Sequence, residues 1–239
     1  MIETAMVMAA GHGTRMRPLT DDRSKAMVVV AGRPLIDHML DRLDDAGVKR
    51  AIVNVHAHPD HLEAHLKART RGPKIKISCE RAALLETGGG VVKALPLLGD
   101  APILICNIDA VWTEFSPVIQ ALFQAWDEEE MDDLFLLAPT QDCLGFDGPG
   151  DFDMNRLGQL DWRTGATAPW VYAGVQIFTP ARAKGYPQTR FSRTEIWRKT
   201  IARRRVFGLP IPGYWMHVGD PRAVKAAEAV VAQDTGVSA

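Results

Sequence analysis

The chain has 239 residues, 46% of them hydrophobic, which is enough for a sizeable core without disulfide or metal staples. Its 28 basic and 29 acidic side chains leave a net charge of −1, so it lacks the positive field of a general nucleic-acid binder. Three isolated cysteines, the lack of any run of about 18 apolar residues and the lack of a basic leader argue against disulfide-framework, membrane-spanning and secreted classes; the expectation is a cytoplasmic globular protein with no membrane partner.

Residues 4–10 read as a buried strand that runs into a glycine loop at Gly11. Residues 34–46 place Leu35, Ile36, Met39, Leu40 and Leu43 at helical spacing, and Gly47 stands where such a helix would stop. A strand over 50–55, a helix over 59–68 and an alternating strand over 74–78 follow. Further on, the pattern predicts a short helix over 90–98, an apolar strand over 102–106, a helix over 115–126 and a strand over 134–138. Strands interleaved with helices in this way favour parallel βαβ units. Beyond residue 140 the pattern changes. Residues 156–163 and 170–178 are expected to pair antiparallel around a turn at Gly165, ahead of a basic helix over 193–205 and a last helix over 221–232. The acidic run with Asp132 and Asp133 reads as a solvated loop or helix end, and the basic residues Arg198, Lys199, Arg203, Arg204 and Arg205 as a solvated helix face. The fold class is therefore α/β, a mostly parallel central sheet with helices on both faces and antiparallel additions in the C-terminal half.

The most informative stretch is Ala9-Ala10-Gly11-His12-Gly13-Thr14-Arg15-Met16-Arg17-Pro18-Leu19-Thr20, with Lys25 shortly after. Glycines straight after a strand let backbone approach a ligand closely, and successive N–H groups form an anion nest. Arg15 adds a planar fork suited to phosphate oxygens and Lys25 a mobile point charge. The Walker A pattern is absent, and the dinucleotide fingerprint fails because Met16 holds its third glycine position.

This run, together with Val30-Ala31-Gly32-Arg33-Pro34-Leu35-Ile36, Leu85-Glu86-Thr87-Gly88-Gly89-Gly90, Asn107-Ile108-Asp109 and Trp215-Met216-His217-Val218-Gly219-Asp220-Pro221, resembles the sugar-1-phosphate nucleotidylyltransferases. The likeness spans nearly the whole chain and is greatest to the short uridylyltransferases that act on N-acetylmuramate 1-phosphate in cell-wall recycling. No hexapeptide repeat follows in the sequence, so a bifunctional relative is not expected. The resemblance implies a Rossmann-like nucleotidyltransferase fold in a single domain over residues 1–239, with a nucleotide half to about residue 140 and a sugar-phosphate half beyond it. It implies that NTP, with UTP foremost, and a sugar 1-phosphate are the partners, and that Mg²⁺, or Mn²⁺, is the cofactor. By the same resemblance Ala10, Gly11, Gly13, Thr14 and Arg15 hold nucleotide phosphates, Lys25 steadies the α-phosphate, and Glu86, Thr87 and Gly88 contact base and ribose. Asp109 becomes a Mg²⁺ ligand, and Asn107, Tyr172 and Gly174 face the sugar. The catalytic set is Arg15, Lys25 and Asp109. Three positions depart from the family pattern: His217 replaces a second metal-binding aspartate, Ser24 replaces a proline before the lysine, and Ile108 replaces a glycine. Histidine is a poor Mg²⁺ ligand, so His217 implies a phosphate contact, a softer metal, or coordination left to Asp109 and water.

One other motif competes. His56-Ala57-His58-Pro59-Asp60-His61 spells the HxHxDH run of metallo-β-lactamase-fold hydrolases, a good zinc or iron set on its own. That chemistry needs two further downstream histidines besides a bridging aspartate; only His65 and His217 follow, and His65 lies one turn along the same expected helix. A histidine-rich helix start is the expectation. The third alternative is a regulatory relative that binds nucleotide with little turnover.

Overall fold

The computed structural model describes residues 2–141 and 143–236. Its first strand, β1 (Thr4–Met8), ends at the glycine loop, and a small hairpin of β2 (Val29–Val30) and β3 (Arg33–Pro34) leads into α1 (Leu35–Asp45). All five apolar positions expected on that helix are buried. It stops where expected: Gly47 takes φ +81°, its N–H donates to Asp44 O and that of Val48 to Leu43 O, the paired bonds of a glycine-terminated helix. Next come β4 (Arg50–Val55), α2 (Pro59–Ala68), β5 (Lys74–Cys79), α3 (Glu86–Leu98), β6 (Ile103–Asn107), β7 (Ala110–Glu114) and α4 (Val118–Ala125). The rest comprises β8 (Asp133–Pro139), β9 (Phe152–Met154), β10 (Leu160–Trp162), β11 (Trp170–Phe178), α5 (Thr194–Ala202), β12 (Val206–Pro210), β13 (Gly213–His217) and α6 (Pro221–Gly236).

The main sheet runs β5-β4-β1-β6-β11-β8-β12, and β9 and β10 extend it beside the start of β11. The strands β5, β4, β1 and β6 are parallel; β11 is antiparallel to both β6 and β8, and β12 is parallel to β8. Side chains alternate across this sheet as the pleat requires. Ala5 and Val7 of β1, and Leu104 and Cys106 of β6, enter the layer shared with α1, α2, α4 and α6. Met6, Ile103 and Ile105 enter the opposite layer, under α3 and α5. No helix among the described residues is long and apolar enough to cross a membrane.

Three expectations need correction. Residues 160–162 pair with β9, not with β11, so the turn at Gly165 does not join neighbouring strands. The helix expected from Gly90 begins at Glu86 and contains all three glycines. Asp132 and Asp133 are buried rather than solvated. The Asp132 carboxylate accepts from both Arg182 and Arg205, and Asp133 opens β8 and accepts from Gln176 Nε2 at 2.8 Å. Arg205 accordingly leaves the solvated basic face.

Candidate active site

Two cavities open at the carboxyl ends of β1 and β6, the edge where parallel sheets bind ligands. The larger, of about 430 Å³, is walled by Ala10, Gly11, Gly13, Thr14, Arg15 and Lys25 on one side and by Glu86 and Thr87 on the other. The smaller, of about 210 Å³, contains Tyr172, Gly174 and His217 among aromatic walls from Trp162, Trp197 and Trp215. Asn107 and Asp109 line both. The structure thus gathers every expected site residue except Gly88 around one pair of joined hollows.

The loop geometry follows from its glycines. Gly13 adopts φ +63°, and a Cβ there would sit 3.0 Å from Lys25 Cβ; Thr20 Oγ1 clamps the turn by donating to Gly13 O at 2.8 Å. Gly11 lines the larger cavity, and a Cβ there would meet no protein atom within 4 Å. Arg15 is exposed and forms no salt bridge with a described residue, which leaves its guanidinium available to an anion.

Lys25 reaches across the opening. Ser24, in place of the family's proline, is fully buried and its Oγ accepts from the N–H of Ala26, fixing the short 3₁₀ turn that carries the lysine. Lys25 Nζ donates to Asp109 Oδ2 at 2.7 Å, and His217 Nε2 lies 3.3 Å from the same oxygen. Burial pushes the Asp109 carboxyl up, but the Lys25 ammonium and His217 outweigh it and hold the group well below the usual carboxylate range. Pairing of β13 with β7 sets His217 opposite Ala110, which is why a residue 108 positions away meets Asp109. The His217 ring stacks on Trp215 at 5.9 Å, and Trp215 Nε1 donates to Ala173 O.

Gly174 stands at an irregularity in the β11–β8 pairing between Tyr172 and Gln176. It takes φ +86°, and a Cβ would come within 2.8 Å of Ala110 Cβ and 3.3 Å of Asn107 Cβ. Tyr172 OH accepts from Arg193 Nη2 at 3.1 Å, and burial pushes its phenol well above the usual range.

Gly88 is placed differently from the expectation. A Cβ there would strike the Phe191 ring at 2.3 Å, one at Gly89 would strike Thr189 O at 2.0 Å, and one at Gly90 would approach Glu80 Oε1 at 2.9 Å. The run lets α3 press against these groups; Gly88 packs, while Glu86 (φ +58°) and Thr87 reach the cavity. Glu86 is paired with Arg190, and Thr87 Oγ1 accepts from the N–H of Arg193.

Sequence reasoning missed a buried brace. Asn54 lines the larger cavity; its Oδ1 accepts from the N–H of Ala9 at 2.7 Å and its Nδ2 donates to Glu80 Oε1 at 2.8 Å. Glu80 Oε2 accepts from the N–H of Leu85 at 3.0 Å, and Glu80 itself is fully buried. The available signal was a lone amide inside the otherwise apolar strand over 50–55. The aromatic walls Trp162, Trp197 and Trp215, with Asp151, were also not anticipated; Asp151 Oδ2 accepts from the N–H of Tyr172 at 2.9 Å, and burial raises its carboxyl.

The HxHxDH side chains scatter. His56 Nδ1 contacts Glu80 O at 2.8 Å, His58 stands before α2 at φ +46°, and Asp60 binds Arg81. Among the described residues no group of three or more His, Cys, Asp or Glu side chains is arranged to hold a metal.

Residues 4–146 match the family model of the nucleotidyl transferases. The chain is 49% identical over 234 residues to the N-acetylmuramate alpha-1-phosphate uridylyltransferase of Caulobacter vibrioides, covering 96% of this chain and 97% of that one. It is 31% identical to the enzyme of the same name from Neisseria meningitidis, covering 95% and 97%. A UDP-glucose pyrophosphorylase structure complexed with UDP-glucose superposes with TM-score 0.80 at 15% identity over 98% of this chain and 100% of that one. The chain therefore belongs to the nucleotidyl transferase family, in its sugar-1-phosphate nucleotidylyltransferase branch. The metallo-β-lactamase alternative falls with that assignment.

Proposed function

We propose that the protein transfers the uridylyl group of UTP to N-acetylmuramate α-1-phosphate, forming the UDP-sugar and releasing pyrophosphate. The observation that carries this reading is the meeting of the two cavities at Asn107 and Asp109, with the Lys25 ammonium at the junction. A two-substrate phosphoryl-group transfer needs donor and acceptor brought into line at one phosphorus, and the partition between the hollows is where that phosphorus belongs. The names of the two relatives that match nearly end to end support the choice of base and sugar.

The donor occupies the larger cavity. Backbone N–H groups of Gly11 to Thr14 and the Arg15 fork take the β- and γ-phosphates, and Glu86 and Thr87 flank the nucleoside. The acceptor sugar lies against the aromatic walls of the smaller cavity, its phosphate aimed at the partition. An acceptor phosphate oxygen attacks the α-phosphorus while the bond from that phosphorus to the β-bridging oxygen breaks, and pyrophosphate leaves with the electron pair. No protein nucleophile is required. Lys25 offsets the charge that grows on the α-phosphoryl oxygens, and Asp109 holds that lysine in place.

The donor set fits Mg²⁺ as substrates present it. Asp109 supplies a carboxylate, and the buried Asn107 Oδ1 beside it has no hydrogen-bond partner among the described residues. Magnesium is typically bound by one or two carboxylates plus substrate phosphates, so the absence of an all-protein cage is compatible. Asp109 would hold the ion, with His217 steadying the carboxylate rather than ligating. When bound, Mg²⁺ neutralises phosphate charge.

The test is pyrophosphate release across the four NTPs and a panel of sugar 1-phosphates, with Mg²⁺, Mn²⁺ or EDTA. Release with UTP and N-acetylmuramate 1-phosphate that EDTA abolishes is expected. A different dominant pair would replace the assigned substrates, and nucleotide binding without release from any pair would overturn turnover itself.

A further inference from the structure

Helix α5 separates the acceptor cavity from a third hollow, of about 290 Å³, on its other side. Thr194 and Trp197 face the acceptor cavity; Ile196, Lys199, Thr200 and Arg203 face the third hollow. Arg182 and Lys184 close it opposite the helix, so four cations converge on one concavity whose lining contains no carboxylate.

Only part of this charge is balanced by ion pairs with described residues. Arg182 shares the single Asp132 carboxylate with Arg205, two positive charges on one negative. Lys184 meets Asp100 only in an exposed pair, of the kind that contributes little. Lys199 Nζ sits 4.4 Å above the Tyr186 ring and Arg203 forms no ion pair with a described residue. The buried Nε of Arg182 has no hydrogen-bond acceptor among the described residues. A solvated helix face splays its cations apart in water; here they are collected around a hollow that the Tyr186 ring also lines. Such an arrangement repels itself until an anion enters, and a guanidinium fork with an ammonium matches phosphoryl oxygens.

We infer that this hollow is a second anion site, which takes a small phosphorylated molecule and acts on the acceptor cavity through α5. The helix is the shared wall, and its entry segment is tied to both substrate hollows: the N–H of Arg193 donates to Thr87 Oγ1 in the larger one, and Arg193 Nη2 donates to Tyr172 OH in the smaller one. Tyr186, the ring beneath Lys199, stacks on Phe191 at 5.4 Å. Drawing Lys199 toward an anion thus bears on the segment that positions Thr87 and Trp197.

Calorimetric titration with inorganic tripolyphosphate tests the site without turnover, using wild type, the double variant Lys199→Ala with Arg203→Ala, and Lys25→Ala with Arg15→Ala. Wild type should show two classes of site. The α5 variant should weaken one of them by on the order of tenfold or more, and the loop variant should weaken the other. Indistinguishable isotherms for wild type and the α5 variant would overturn the site. With inorganic phosphate added at constant ionic strength, the acceptor KM of wild type should move at least about twofold and that of the α5 variant should not. A wild-type KM that stays put, or one that moves equally in both proteins, would overturn the coupling. Both substituted residues are exposed and outside the substrate cavities, so the fold and the basal rate should hold.

Discussion

Lys25 and Asp109, 84 positions apart, join across the partition between the substrate cavities through a 2.7 Å contact. The lysine side chain is 12% exposed and the aspartate 23%, so the pair is partly shielded yet open to a ligand. Lys25→Ala and Asp109→Asn should each lower kcat by ~10²-fold or more, since each removes charge placed at the reacting phosphorus. Circular dichroism should show a cooperative fold in both. A rate within threefold of wild type would remove that residue from the mechanism.

The Asn54–Glu80 brace supports the donor cavity only. Glu80→Gln keeps the shape but sets an N–H₂ group against either Asn54 Nδ2 or the Leu85 N–H, costing about 1–3 kcal/mol. Steady-state kinetics should give a nucleotide KM raised on the order of tenfold with an acceptor KM unchanged. Equal movement of both constants would mean that the brace holds the whole site.

Gly174 bears on the other substrate. Gly174→Ala must adopt φ +86° and push against Ala110, at a cost of about 1–3 kcal/mol. The acceptor KM should rise while the nucleotide KM stays. An alanine variant with wild-type constants and melting temperature would show that the irregularity in β11 relaxes freely.

Asp133 makes stability depend on pH. Burial raises its carboxyl from 3.8 to about 8. The folded chain therefore keeps a proton that the unfolded chain releases, and this group's contribution to stability falls as pH rises from 3.8 toward about 8. The slope is at most ~1.4 kcal/mol per pH unit. Asp133→Asn should gain stability on wild type as urea melts move from pH 5 to pH 8. A constant difference between the two proteins would contradict the shift.

The discarded histidine motif is also open to test. His58→Ala with His61→Ala should leave turnover within about twofold, because neither side chain lines a substrate cavity. A collapse of activity with the fold intact would restore that motif to the chemistry.

Where contacts are local, the sequence was a good guide. The α1 stripe and its Gly47 stop depend on neighbours within a few residues, and they fell where expected. The features that escaped notice depend on distant partners. The three glycines of α3 resemble a helix entry because glycine is a poor helix former, yet the need for Gly88 and Gly89 comes from Phe191 and Thr189, a hundred positions on, and that for Gly90 from Glu80 and Asn54. Asp132 and Asp133 look like a solvated run until Arg182, Arg205 and Gln176 fold over them. β7 went unseen since its sheet partner among the described residues is β13, about a hundred positions on. The glycine loop and Lys25 were legible because their chemistry is written in consecutive residues. The aromatic acceptor walls Trp162, Trp197 and Trp215 come from three separate elements and left no such trace.

The long strand β11 comes late in the chain yet lies between β6 and β8, which come early. Residue 140 marks a change of sequence pattern but not a seam in the sheet. A polypeptide nicked in the loop after β8 would yield one piece missing the strand that joins β6 to β8, and a second piece whose longest strand keeps β9 beside its start but loses its pairing with β6 and β8. Neither would be a self-sufficient folding unit. The two should recover a native sheet only by finding each other, which makes that loop a natural place to divide the protein into complementing fragments.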